Sequence, residues 1–70
     1  MKKVYKLSLS NEERDIKIGY YSSRNKALED AEHMIGRSGQ RVMVKRKRHG
    51  TTVVVGDQGA YYVIETIWVE

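Results

Sequence analysis

Ala27, Leu28, Ala31, Met34 and Ile35 recur at spacings of three and four residues, the one stretch of this chain with a convincing helical period. Glu29, Asp30, Glu32 and His33 take the other side, as an amphipathic helix requires. Ser22-Ser23 precedes the stretch and supplies a hydroxyl to cap the first turn. Gly36 suits the left-handed position that ends a helix, and Gly39 adds a second point of freedom before the next element. A helix of about 13 residues with a small apolar stripe must bury that stripe against something flat, which points to one face of a sheet.

The rest of the chain alternates with period two. Val4 to Leu9 places Tyr5, Leu7 and Leu9 on one face; Ile16, Ile18 and Tyr20 resume the pattern after a polar, turn-prone stretch. These two segments are expected to form a hairpin, although Ser10 with Glu13 could instead cap one extra helical turn. Arg41 to Lys47 alternates again, with Val42 and Val44 together on one side. Arg48-His49-Gly50-Thr51 reads as a tight turn with Gly50 at positive φ, and Gly56-Asp57-Gln58-Gly59 as a second turn. Thr52 to Val55 is β-branched, and Ala60 to Val69 is apolar on both sides, which points to a central strand or else to one that pairs across a subunit boundary. The expected architecture is α+β, in the order β-β-α-β-β-β, with one helix packed on a curved, mainly antiparallel five-stranded sheet. The chain has no proline, repeats or linkers, so residues 1–70 read as one small domain.

Mass limits what such a domain does. At 8.1 kDa, folding leaves roughly 4,500 Å² exposed of about 11,700 Å² in the extended chain. That argues against a deep enclosed catalytic cavity. The sheet face away from the helix draws on Val4, Tyr21, Met43, Val54, Val63, Ile67 and Val69. It is too apolar for open water, so either the sheet curls into a partly closed barrel or a partner covers it, and a homodimer is expected. No cysteine is present, which removes disulfides, thiolate metal sites and cysteine nucleophiles. No apolar run follows the charged N-terminus, so neither a signal peptide nor a membrane span is supported, and the cytoplasm is the default location.

Catalytic constellations are not found. Glu29 and His33 at i,i+4 would offer two metal ligands, but no third stands at an informative spacing. Glu12, Glu13 and Asp15 share one loop without the second half of a catalytic pair. Gly36-Arg37-Ser38-Gly39-Gln40 lacks the lysine-hydroxyl ending of a phosphate loop and leads into a strand. The reading is therefore a non-enzymatic protein with no cofactor and no metal.

Charge is where the sequence is most specific. The net charge is +4, and Arg41, Lys45, Arg46, Lys47 and Arg48 stand in a stretch where no acid occurs between Glu32 and Asp57. The remaining eight basic residues face nine acids, so all excess positive charge is local. With His49 in the turn, the hairpin 41–49 is expected to bind nucleic acid, DNA or RNA, through the phosphate backbone. Strand alternation puts Arg41, Lys45 and Lys47 on one side and Arg46 and Arg48 on the other, while Arg24, Lys26 and Arg37 would widen the footprint from the helix. Tyr21 and Tyr61 are candidates for stacking with unpaired bases, against ordinary sheet packing as the plain alternative. The basic hairpin has a plain alternative too: solvated cations that prevent edge-to-edge pairing. A competing functional reading is a protein-protein interaction module (inhibitor, adaptor or assembly subunit) meeting an acidic protein surface through the hairpin and the apolar sheet face. A membrane surface is the weakest partner, because no basic amphipathic helix accompanies the patch.

Overall fold

A computed structural model of the chain describes residues 2–10 and 15–69. The elements are β1 (Lys2–Ser10), β2 (Asp15–Tyr21), α1 (Arg24–Arg37), β3 (Val42–Arg48), β4 (Thr51–Gly56) and β5 (Tyr61–Val69). All five strands pair antiparallel in one sheet of order β2-β1-β5-β4-β3. The expected α+β class and element order therefore hold, and β5 lies in the middle of the sheet. Among the described residues β2 and β3 do not pair, so the sheet is open-edged rather than closed into a barrel.

The helix forms where the apolar spacing requires it. Ser23, in extended conformation, caps it by accepting from the Lys26 amide at 3.4 Å. Its end differs from expectation: Gly36 is inside the last turn, and Gly39 takes the left-handed conformation at φ 82°. The Gln40 amide donates to the Ile35 carbonyl and the Gly39 amide to the Gly36 carbonyl, each at 3.1 Å. This is the paired closure that a left-handed residue beyond the cap permits.

Ala27, Ala31 and Ile35 of the helix are fully buried against Leu7, Val54, Tyr62 and Ile64 of the sheet. The two alanines let the helix approach closely, and each fully buried Leu, Ile or Val contributes about 1.5–3 kcal/mol. Register fixes which residues share this face, since directly opposed residues point the same way: Leu7 opposes Ile64, Ile64 opposes Thr52, and Val54 opposes Tyr62. The face away from the helix then carries Val4, Val53, Val55, Tyr61, Val63, Ile67 and Val69. Three residues expected there are missing from this set: Val54, Tyr21 and Met43, the last without a register partner to place it. Val54 is fully buried under the helix, and Tyr21, opposite Tyr5, packs against the core.

A bulge explains another difference. Val42 opposes Gly56 and Val44 opposes Val55, so Met43 is an extra residue with no partner. Val42 consequently turns toward the core while Val44 joins the open face, although simple alternation puts them on one side. Ser10 donates to the Asp15 carboxylate at 2.8 Å where β1 and β2 oppose each other. The extra turn considered for Ser10 to Glu13 falls on residues 11–14, outside the described residues. The folded chain exposes 5191 Å², above the roughly 4,500 Å² expected for its mass. A two-layer slab with one bare sheet face accounts for the excess.

Candidate nucleic-acid interface

The basic hairpin is β3, its turn and β4. His49 at φ 50° and Gly50 at φ 78° are both left-handed, the pairing a two-residue hairpin turn needs to match strand twist. Glycine adopts this freely, whereas for His49 the conformation is unfavourable, less so than for a β-branched residue. The Gly50 carbonyl accepts from both the amide and the hydroxyl of Thr66, at 3.1 and 2.9 Å, which ties the tip to β5. At the other end of β3, the Arg41 amide donates to the Asp57 carboxylate at 3.0 Å and the Asp57 amide to the Arg41 carbonyl at 2.9 Å.

The six hairpin residues split three ways. Lys45 and Lys47 oppose Val54 and Thr52, so they lie on the helix side. There the Lys45 ammonium sits 2.8 Å from the Glu32 carboxylate, an ion pair that holds β3 to the helix. Arg46 and Arg48 oppose Val53 and Thr51 and point to the bare face. Arg41 stands at the far end of the strand, roughly 25 Å from the turn at about 3.3 Å per residue. All five cationic side chains and His49 are exposed. Among the described residues Lys45 is the one member of the hairpin that forms a salt bridge.

Arg46, Arg48 and His49 meet Thr51, Val53 and Tyr61 around an open concavity of about 370 Å³. Its floor is β4 and the first residue of β5; its wall is the guanidinium pair with the turn imidazole. Thr51 and Val53 escaped the sequence reading because nothing in an alternating β-branched strand marks which side faces a charged neighbour. The signal was indirect: the same-face partners of Arg46 and Arg48 follow from the turn at His49-Gly50. Glu65, across from Thr51, is the acid on this face of β5, and it is paired in register with Lys6.

Tyr21 and Tyr61 lie on opposite faces of the sheet. Tyr61 belongs to the concavity, while Tyr21 is half-buried on the helix side. The Asp30 carboxylate accepts a hydrogen bond from the Tyr21 hydroxyl and, with burial and its own negative charge, raises the phenol above its ordinary value of 10.0. The helix cations do not join the cluster: Arg24 lies over the Tyr5 ring at 5.7 Å, on the helix side of β1. Among the described residues no group of three or more His, Asp or Glu side chains converges to hold a metal ion. No helix among them is long and apolar enough to cross a membrane.

No protein family, no curated protein and no solved structure was found to match this chain. The functional reading rests on the geometry above.

Proposed function

We propose that this chain is a small non-enzymatic protein that binds nucleic acid through the phosphate backbone, using the basic hairpin 41–49. One observation supports this reading above the others: Arg46, Arg48 and His49 converge on one exposed concavity beside Tyr61, with no salt bridge to any of them among the described residues. Edge protection accounts for this arrangement less well. The opposite edge strand, β2, has Asp15 and Lys17 as its charged residues and leaves Ile16, Ile18 and Tyr20 more than one-third exposed. Bulges guard an edge as charge does, and both edge strands have an irregular register, so the cations concentrated on β3 exceed what edge protection needs.

The test is an anisotropy titration with random single-stranded and duplex oligonucleotides at two salt concentrations. It is repeated on the Lys45→Gln, Arg46→Gln, Lys47→Gln, Arg48→Gln variant. The expected result is binding that weakens steeply with salt, by about 0.7 to 0.9 in the log-log slope per phosphate neutralised, and that the variant loses. Absence of binding at low salt overturns the proposal.

A second reading is favoured by the strip of Val44, Val53, Val55, Val63 and Ile67 on the bare face. A protein partner, or a second copy of the chain in a homodimer, would bury that strip. Such association would depend weakly on salt and would appear in sedimentation equilibrium as a mass above 8.1 kDa.

A further inference from the structure

Resting on the nucleic-acid reading, we infer that the concavity beside the hairpin takes an unpaired nucleotide of a single strand, its base against Tyr61 and Val53 and its phosphate between Arg46 and Arg48. Three observations carry this. The lining away from the cations is formed by Tyr61, an exposed tyrosine at the start of β5, with Val53 and Thr51 of β4. The wall is cationic and lies to one side, as a nucleotide needs when its base and phosphate occupy opposite ends. The volume, about 370 Å³, falls at the lower end of the roughly 300–1,000 Å³ typical of small-ligand sites.

Duplex nucleic acid fits this arrangement poorly. Its base faces are stacked out of reach, so it would use the arginines and leave Tyr61 idle. Its many backbone contacts would also need the full set of hairpin cations on one surface. Here Lys45 and Lys47 point to the helix side, and Lys45 is held by Glu32. Two guanidiniums and an imidazole match one or two phosphates of a flexible strand. An aromatic platform with a cationic rim binds single strands with little sequence preference, because every base presents a π-face.

The experiment compares labelled oligothymidylate with a duplex of equal length, titrated against the wild-type protein, Tyr61→Ala, Tyr61→Phe and the Arg46→Gln/Arg48→Gln pair. Each variant's fold is checked by circular dichroism. The expected result is preference for the single strand, weakening of roughly 5- to 100-fold in Tyr61→Ala, near-retention in Tyr61→Phe and loss in the arginine pair. Emission of a Tyr61→Trp protein in a Trp68→Phe background reports stacking directly: oligothymidylate quenches it, and a merely structural Tyr61 leaves it unchanged. If Tyr61→Ala binds as the wild type while the arginine pair does not, the nucleotide site is overturned and the backbone reading stands. If the wild type binds neither oligonucleotide at low salt, both fall.

Discussion

Thr66 donates twice to Gly50: its hydroxyl and its amide both reach the Gly50 carbonyl, at 2.9 and 3.1 Å. The contact joins the tip of the basic hairpin to the sheet's central strand, so the position of His49 depends on a residue 17 places later in the chain. Thr66→Val keeps the shape and the amide bond and removes the hydroxyl bond. The expected loss is about 1 kcal/mol. A urea titration should show a lower midpoint with an unchanged slope. Amide exchange at the hairpin tip should quicken more than exchange in the β1–β5 pairing.

Gly56 is constrained by space and not by its backbone angle. A Cβ built there would stand 2.5 Å from the Gln40 side-chain oxygen and 3.2 Å from both Ile35 Cγ2 and Ala60 Cβ. That oxygen accepts from the amides of Gln58 and Ala60, at 3.1 and 3.2 Å, so it cannot withdraw without releasing two donors. Gly56→Ala is expected to destabilise the fold by about 1–3 kcal/mol, from overpacking and the strained bonds. Thermal unfolding measures it, and Gly59→Ala, strained at φ 98° with no neighbour within 4 Å, provides a contrast of backbone origin.

The hairpin cations should not be equivalent in binding. Lys45 is partly neutralised by Glu32 at 2.8 Å, while Arg46 and Arg48 have no acid partner among the described residues. On a single strand, the Arg46→Gln/Arg48→Gln pair should reduce the log-log salt slope by about 1.4, at about 0.7 per phosphate. Lys45→Gln should reduce it by less than half of that, and Glu32→Gln should raise affinity. The stability change on breaking the half-exposed Lys45–Glu32 pair should stay within about 1 kcal/mol.

Tyr21 gives a pH signature. Its hydrogen bond to Asp30, its burial and the Asp30 charge all favour the protonated phenol and raise it above the ordinary 10.0. A group whose folded value is raised contributes stability fully present below the unfolded value and lost as pH rises through the folded one. The Tyr21 contribution should therefore be constant through neutral pH and fade only in alkali, above about pH 10. Ultraviolet titration should show a tyrosine ionising late in the wild type, and Asp30→Asn should bring it back toward the ordinary range. A late tyrosine that persists in Asp30→Asn would rule out the contact as the cause.

Local patterns are written in neighbouring residues, and for that reason the six elements, the helix's buried stripe and the His49-Gly50 turn were all legible in this chain before its structure. Period-two alternation also assigned Tyr62 and Ile64 to one face of β5 and Arg46 and Arg48 to the opposite side from Lys45 and Lys47. The concavity needed more. It exists because β4 pairs with β5 in the register that sets Val55 across from Tyr61 and Thr51 across from Glu65. Nothing within either strand specifies that register; it follows from burying Val54, Tyr62 and Ile64 together under the helix.

The same division runs through the whole molecule. By itself the sequence determined the type and order of the elements, the place of the positive charge and the alternation of β4 and β5, because these depend on residues within a few positions of one another; in β2 and β3 a shift of register interrupts the alternation. Tertiary structure alone decided the strand order, in which the first strand enters between the second and the fifth, and the bulge at Met43 that separates Val42 from Val44. It also decided which tyrosine faces the cations: Tyr61 does, while Tyr21 turns to Asp30. Those outcomes are set by which apolar surfaces can be buried at once, a condition on the whole chain that no short window of it contains.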